Sequence, residues 1–346
     1  MITDLEIANR LRSRLREIPG CAGIDYRHPP SRVSGGFETD IFRFELSSAS
    51  ASLSGPMILR RLKPRQSPRQ AQYEAAVQNA IASQGFPAPQ VALVETDTTV
   101  LGGAFLVMRE MRGRPLAQGI DSAIGGSATS KVIRLLAEAP RTLTQMATTW
   151  TQAHLRLHEL RVEPLREACA AAGLTASSFD SRLAAVESDL QDPALARLRP
   201  VLAWLRAHLP ARQAPAVICH GDFHPLNILV AEGQVSGVLD WGSATLAEPA
   251  YDVGSTIANL RTVPIGAPMM VRPAVKGLIR YALRRYVRGY QQGHPLDLVA
   301  VRYYQVFRCT AHLAGASRAA GAHHSPAARK LLAGMIRRLT GLPIAG

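Results

Sequence analysis

The sequence has few cysteines and no long apolar run. Its four cysteines, Cys21, Cys169, Cys219 and Cys309, are scattered over 346 residues without the spacing of a metal site. This pattern argues against a disulfide framework and predicts reduced thiols in a cytoplasmic protein. No apolar run reaches the ~20 residues that a membrane-spanning helix needs. Residues 1–15 carry acids, and their apolar residues recur at helical spacing, so we predict neither a membrane association nor a signal peptide.

Lysine is scarce throughout, and acidic residues are scarce near the end of the chain. From residue 261 onward there are 14 arginines and lysines but one acid, Asp297, which gives this segment +13 of the total charge of +14. Such a basic segment is typical of nucleic-acid binding. No recognition motif or stacking aromatic pattern accompanies it, so we predict no nucleic-acid partner. A composition of 47% hydrophobic and 19% charged residues indicates a globular chain, long enough for two domains.

The segment 217–253 carries the most specific chemical pattern. His220, Asp222 and Asn227 lie on one short loop, and Asp240 ends a later apolar run. Residues 227–230 and 235–239 are predicted to form two strands joined by a turn at 232–234, which would bring Asn227 close to Asp240. An amide and a carboxylate oxygen are ligands that Mg²⁺ accepts, and an acid five residues before the Asn suits phosphoryl transfer to a hydroxyl.

The run HGDFHPLN followed by DWG resembles the aminoglycoside phosphotransferase-like family, small-molecule kinases of the protein-kinase-like superfamily. The resemblance implies an α+β, two-lobed, protein-kinase-like fold. Residues 1–111 would form a β-rich N-lobe that covers the nucleotide, and residues 112–346 a mostly helical C-lobe with the catalytic loop and acceptor site. It further implies ATP or GTP as donor, Asp222 as the base, and Mg²⁺ on Asn227 and Asp240. His220 would brace the loop or, less directly, act as general base.

The resemblance extends to the N-terminal half in a weaker form. Ser34, Gly35 and Gly36 form a turn between strand-like runs that could cover the phosphates. Arg60 stands where the family has a lysine that holds the α- and β-phosphates, and Glu74 on the following predicted helix would pair with it. Arg61 or Lys63 takes that role if the strand register differs. Glu110 and Met111 fall at the hinge, where backbone groups would meet a purine ring.

Several alternatives remain at this stage. A non-catalytic nucleotide-binding regulatory protein with the same fold is the alternative function, and Arg60 in place of lysine is the feature that favours it. Asp252 is either a scaffold acid for the catalytic loop or an ordinary acid at a helix start. His154 and His158 are four residues apart, but no third ligand is spaced to complete a metal site, so they are predicted to be packing histidines. The basic end of the chain predicts a neutral or anionic acceptor.

Overall fold

A computed structural model of the chain describes residues 2–33, 39–47, 53–64, 66–118, 129–211, 214–264, 269–270, 272–315 and 325–344. Within these ranges, every helix is too short or too polar to span a lipid bilayer. The chain forms two compact units. The first consists of Met1–Arg112, Glu163–Ala176 and Gly237–Gly242, and the second consists of Gly113–Val162, Ser177–Ser236 and Ser243–Gly346.

The first unit is built on a five-stranded antiparallel sheet with the strand order β1-β2-β3-β5-β4. Its strands are β1 Tyr26–Arg32, β2 Thr39–Leu46, β3 Pro56–Leu62, β4 Val91–Glu95 and β5 Phe105–Arg109. Its helices are α1 Asp4–Arg16, α2 Pro68–Ala82, α3 Thr98–Leu101 and α5 Glu163–Ala171. The predicted β-rich N-terminal part is therefore confirmed.

Strand β5 shows why this sheet is covered on both faces. Phe105 and Val107 pack into the apolar cluster that contains the buried face of α1, whereas Leu106 and Met108 pack into a second cluster that includes Ala71 of α2. Because successive strand residues point to opposite faces, a continuous apolar run can fill two cores at once. The pairing of Leu59 with Val107 fixes the register of β3 beside β5.

The helices of the first unit begin at strong local signals. Thr3 and Glu6 form a reciprocal capping box at the start of α1, with distances of 3.2 Å and 2.8 Å between each side-chain oxygen and the other residue's backbone nitrogen. The Ser67 hydroxyl caps α2, and Pro68 occupies its first turn, where the missing N–H costs no hydrogen bond.

The second unit is mostly helical, as predicted. Its helices are α4 Thr129–His158, α6 Phe179–Asp189, α7 Arg199–Ala207, α8 Pro249–Thr262, α9 Arg272–Gly293, α10 Leu298–Gly315 and α11 Pro326–Thr340. Its short strands are β6 Arg114–Pro115, β7 Val217–Cys219, β8 Ile228–Ala231 and β10 Thr245–Ala247, and β9 Gln234–Val238 follows β8 and ends in the first unit.

Helix α8 is the buried centre of the second unit, and it packs most extensively against α10. Gly254 allows this approach, because a Cβ atom there would lie 2.8 Å from the Val301 carbonyl oxygen and 2.8 Å from the Tyr304 Cβ. Helix α4 packs along α9 in the same way, side by side. Helix α8 carries Asp252 and Asn259, which contact the loop that follows β7.

Candidate active site

Arg60 lies in β3 of the first unit and is held by two acids. Its Nη1 forms an ion pair with Glu74 of α2, and its Nη2 lies 3.2 Å from Oδ1 of Asp240. Its Nε donates to the Thr39 hydroxyl at 3.3 Å. The structure thus brings together Arg60, Glu74 and Asp240, the residues that the sequence predicts for nucleotide and metal binding.

The two alternative cations are engaged elsewhere. Arg61 and Lys63 both pair with Asp40, at 2.5 Å and 2.6 Å. Burial would raise the pKa of Asp40, but Lys63 and Arg61 lower it to about 2. Arg60 instead lies 3.2 Å from Asp240, the predicted metal ligand, which makes it the better candidate for phosphate binding.

Glu74 is a buried carboxylate with unused hydrogen-bonding capacity. Its side chain is 2% exposed; Oε1 pairs with Arg60 and accepts a hydrogen bond from Gln78 at 3.2 Å. Its Oε2 is buried and has no hydrogen-bond partner among the described residues. A buried acid of this kind depends on its cation for stability, so Glu74 and Arg60 act as a unit.

Asp240 has an unusual backbone. It lies two residues after the end of β9 and has φ = 68°, a left-handed conformation that non-glycine residues adopt at a cost of ~1–3 kcal/mol. The neighbouring Trp241 fixes this turn, because its fully buried indole donates to the Val238 carbonyl at 2.8 Å and packs edge-on against Phe86. The Asp240 side chain remains 53% exposed. A strained, accessible carboxylate is the kind of group that can bind a cation.

Asp222 lies in the second unit on the loop that follows β7, and its carboxylate is three-quarters buried. Oδ1 accepts a hydrogen bond from Asn259 of α8 at 2.6 Å and lies 3.4 Å from Nε2 of His224. Burial would raise the pKa of Asp222, but the charge and hydrogen bond of His224, followed by the charge of Arg308, hold it well below its usual range. The carboxylate is therefore ionised at neutral pH. It can accept a hydrogen bond from a hydroxyl, although such a low pKa makes it a weak proton acceptor.

Asn227 is oriented by Asp222. Its Nδ2 donates to the Asp222 carbonyl oxygen at 3.0 Å and lies 3.5 Å from Oδ2 of Asp222. With the amide nitrogen engaged, the Asn227 Oδ1 is left to act as a ligand. Asn227 and Asp240 therefore each offer an oxygen atom, which is the donor type that Mg²⁺ requires.

Asp252 holds the backbone just before Asp222. This fully buried acid of α8 accepts hydrogen bonds from the backbone nitrogens of His220 at 2.6 Å and Gly221 at 2.7 Å. Gly221 has φ = 79°, and a Cβ there would lie 2.5 Å from the Ser243 carbonyl oxygen, so only glycine fits. The predicted scaffold role of Asp252 is confirmed. The His220 ring accepts a hydrogen bond from the backbone nitrogen of Asp222 at 3.2 Å, which suits a bracing residue.

His154 and His158 of α4 complete the environment of Asp252. Their Nε2 atoms lie 3.0 Å and 3.3 Å from Oδ2 of Asp252, and their Nδ1 atoms lie 2.5 Å and 2.6 Å from the hydroxyls of Tyr286 and Tyr290. Our expectation that no third group completes this pair was wrong, because Asp252 is remote in sequence. Every ring nitrogen has a hydrogen-bond partner, so we interpret the group as a hydrogen-bonded brace. Burial and the neighbouring His158 lower the pKa of His154 to about 4 despite Asp252.

The remaining predicted residues are less informative. Glu110 pairs with Arg43 at 2.8 Å, and its backbone nitrogen donates to the Pro56 carbonyl at 3.0 Å. A purine contact at this position would therefore use the Glu110 carbonyl or Met111. Ser34, Gly35 and Gly36 lie outside the described residues. Asn259, Arg308, Tyr286 and Tyr290 were not predicted.

The model of the phosphotransferase enzyme family matches residues 30–296. Three solved structures illustrate the likeness. One, from Ralstonia eutropha and described as an aminoglycoside phosphotransferase, is 17% identical, with a TM-score of 0.59 over 95% of this chain and 98% of that chain. A thermostable mutant of aminoglycoside phosphotransferase APH(4)-Ia, in ternary complex with ADP and hygromycin B, is 15% identical, with a TM-score of 0.57 over 97% and 100%. Macrolide 2'-phosphotransferase type I is 15% identical, with a TM-score of 0.51 over 94% and 96%. These likenesses confirm the predicted protein-kinase-like fold.

Curated relatives match about half of the chain. Acyl-CoA dehydrogenase family member 11 of Homo sapiens is 30% identical over 185 residues, which cover 52% of this chain and 22% of the relative. The protein of the same name from Gallus gallus is 29% identical over 183 residues, again 52% and 22%. The match thus spans about a fifth of the length of these relatives.

Proposed function

The chain belongs to the phosphotransferase enzyme family, and we propose that it transfers the γ-phosphate of ATP or GTP to a hydroxyl of a small molecule in a Mg²⁺-dependent reaction. The observation that carries this proposal is the position of Asp222. Its carboxylate accepts a hydrogen bond from Asn259 at 2.6 Å, and it lies on a loop whose backbone is held by Asp252. This arrangement suits a group that orients an attacking hydroxyl.

We propose roles for the chain's own residues as follows. Asp222 accepts a hydrogen bond from the acceptor hydroxyl and aligns its oxygen for attack. It then receives the proton late, because little proton transfer is needed in a loose phosphoryl-transfer transition state. Arg60, tethered by Glu74, holds the α- and β-phosphates. Asn227 and Asp240 would hold Mg²⁺, which neutralises phosphate charge when bound.

We also propose a division of labour along the chain. Residues 1–111, with Arg60 and Glu74, serve the nucleotide, and residues 112–346 carry the catalytic loop and the acceptor site. Ser34, Gly35 and Gly36 are proposed to cover the phosphates, and Glu110 and Met111 to meet the purine. All four cysteines are free and buried, which supports the cytoplasmic location that we propose.

The acceptor is proposed to be neutral or anionic. Of the 15 charged residues from 261 onward, 14 are basic. The one acid, Asp297, caps α10 by accepting a hydrogen bond from the Val299 backbone nitrogen at 2.7 Å. A polycationic aminoglycoside would meet an unfavourable field there. The name of the curated relatives suggests one anionic class to test, hydroxyl-bearing acyl-CoA thioesters.

Steady-state kinetics of ADP or GDP release test this proposal. The panel should contain sugars, macrolides, hydroxy acids, hydroxyacyl-CoA thioesters, kanamycin and neomycin. We expect Mg²⁺-dependent turnover with a neutral or anionic acceptor. An aminoglycoside kcat/KM above ~10⁴ M⁻¹s⁻¹, the lower end for matched enzyme–substrate pairs, would contradict the acceptor assignment. Nucleotide binding without turnover on any acceptor would indicate the non-catalytic alternative.

A further inference from the structure

A guanidinium group lies one side chain away from Asp222. Arg308, on α10, is half-buried, and its Nε donates to Oδ1 of Asn259 at 3.1 Å. Asn259 in turn donates through Nδ2 to Oδ1 of Asp222 at 2.6 Å. Nε2 of His312, one turn further along α10, lies 3.1 Å from the same Asn259 oxygen. Asn259 therefore links the proposed hydroxyl-orienting carboxylate to a cation.

Arg308 has hydrogen-bonding capacity that the described chain does not use. Among the described residues, no carboxylate lies within ion-pair distance of Arg308, and its hydrogen bond is the one that Nε donates to Asn259. Its two terminal nitrogens can form a planar fork, which fits a carboxylate or phosphate in bidentate geometry. Arg308 is linked to Asp222 through Asn259 and makes no direct ion pair with it. A half-buried guanidinium in this position favours an anion as a direct partner, because charged groups are stabilised by pairing when they leave water.

The surroundings of Arg308 favour an anion as well. Helix α8 packs against α9, α10 and α11, and Arg280 and Arg284 of α9 and Arg338 of α11 act on its C-terminal end. Burial, followed by the charges of Arg338, Arg280 and Arg284, lowers the pKa of Arg261 near the end of α8. A cation is thus disfavoured on this side of the second unit, and an anionic molecule would be drawn towards it.

We propose that Arg308 is a specificity-determining residue that binds an anionic group, a carboxylate or a phosphate, of the acceptor whose hydroxyl Asp222 orients. The proposal rests on the proposed phosphotransferase function and narrows its acceptor to an anionic hydroxyl compound. Because a single side chain separates Arg308 from Asp222, the anionic group and the reacting hydroxyl belong to one molecule and are separated by a short chain.

Matched acceptor pairs test this proposal in the full chain. Each pair has an anionic and a neutral member: gluconate and glucose, glycerol 3-phosphate and glycerol, pantothenate and panthenol. We expect the wild type to show at least ~10-fold higher kcat/KM for the anionic member, since a charge-assisted bidentate contact contributes more than ~1.4 kcal/mol. Arg308→Gln should abolish this preference, and Arg308→Lys should retain part of it.

The control is Arg302→Gln, which removes the same charge from an exposed position on the same helix. It should leave the preference unchanged. If Arg308→Gln lowers kcat/KM for both members of a pair equally, Arg308 only positions Asn259 and the inference is wrong. A wild type that prefers neutral members also overturns it, while leaving the phosphotransferase function intact. No ADP release with any acceptor, by contrast, contradicts the proposed function.

Binding of inorganic phosphate provides a measurement that needs no acceptor. Isothermal titration calorimetry with ADP and Mg²⁺ present should show a phosphate site in the wild type and in Arg302→Gln. In Arg308→Gln, we expect that site to weaken at least ~10-fold, by the free energy of one charge-assisted contact. Equal phosphate binding by all three proteins, or none by the wild type, overturns the inference whatever the turnover.

Discussion

Replacing Asp252 with asparagine should severely destabilise the second unit. The Asp252 carboxylate is fully buried and lies at the centre of four hydrogen bonds. Oδ1 accepts one from Gly221, and Oδ2 accepts three, from His220, His154 and His158. Asparagine has the same shape but only one acceptor oxygen. If the asparagine oxygen takes the place of Oδ2, which accepts three hydrogen bonds, the asparagine NH₂ group takes the place of Oδ1. That NH₂ group would then face the Gly221 N–H, and two hydrogen-bond donors would oppose each other.

The magnitude follows from these four bonds. Hydrogen bonds to a charged group contribute ~1.5–3 kcal/mol and neutral ones ~0.5–1.5 kcal/mol. Three bonds would therefore weaken by about 1 kcal/mol each, and one buried donor would lose its partner at a cost of ~1–3 kcal/mol. The variant no longer buries a charged carboxylate, and the lower desolvation penalty offsets part of this loss. We expect a net loss of ~3–5 kcal/mol, a large part of a typical stability of ~5–15 kcal/mol.

Urea unfolding at pH 7.5, followed by circular dichroism, measures this loss. The control is Asp297→Asn, the same chemical change at a partly exposed cap of α10, where asparagine also caps well. The control should change the free energy of unfolding by less than ~0.5 kcal/mol. A loss below ~1 kcal/mol for Asp252→Asn would be no more than that of an average hydrogen bond. This result would refute the claim that the four hydrogen bonds to the Asp252 carboxylate stabilise the second unit.

Three further predictions concern the nucleotide side and the brace. Arg60→Lys should retain substantial activity and Arg60→Ala should raise the nucleotide KM sharply in steady-state kinetics, whereas Arg60→Ala with wild-type KM would exclude Arg60 from phosphate binding. Asp240→Ala should abolish Mg²⁺-dependent nucleotide binding by calorimetry, because a hard cation loses its charged ligand; undiminished binding would mean that Asp240 is misassigned. His154 has a pKa of about 4 in the folded chain against ~6.5 when unfolded. As the pH falls, His154 therefore binds a proton in the unfolded state before it does so in the folded state. The neutral His154 contributes up to ~3 kcal/mol to the free energy of unfolding above pH 6.5, and this contribution is lost as the pH falls towards 4. Urea unfolding between pH 7.5 and 5 should show this slope in the wild type and a smaller one in His154→Gln, and equal slopes would contradict it.

Local patterns in the sequence predicted much of the fold around the site. The hairpin of β8 and β9 follows from two apolar runs around Glu232 and Gly233, which both have positive φ, at 52° and 77°, as a tight hairpin turn requires. The pairing of Arg60 with Glu74 was expected from their places in β3 and α2, and the structure shows it. In both cases a short stretch of chain, or a known family pattern, contains the information.

Contacts between distant segments could not be predicted in this way. His154 and Asp252 are 98 residues apart, and no local signal indicates that α4 and α8 meet there. The same holds for Arg308, which reaches Asn259 from 49 residues away. Helix α5 belongs to the first unit through its packing against α2, although it follows α4 of the second unit in sequence. Such contacts depend on tertiary packing, which residue spacing does not encode.

The most direct test of the central claim is the turnover of Asp222→Asn beside the wild type. ADP release should be measured with saturating Mg·ATP and with the best acceptor of the panel, and nucleotide binding should be measured in parallel by calorimetry. If Asp222 orients the hydroxyl, kcat should fall ~10²-fold or more, the scale of losing a group that handles the reacting proton, with nearly unchanged nucleotide affinity. Near-normal turnover by the variant would remove Asp222 from the mechanism.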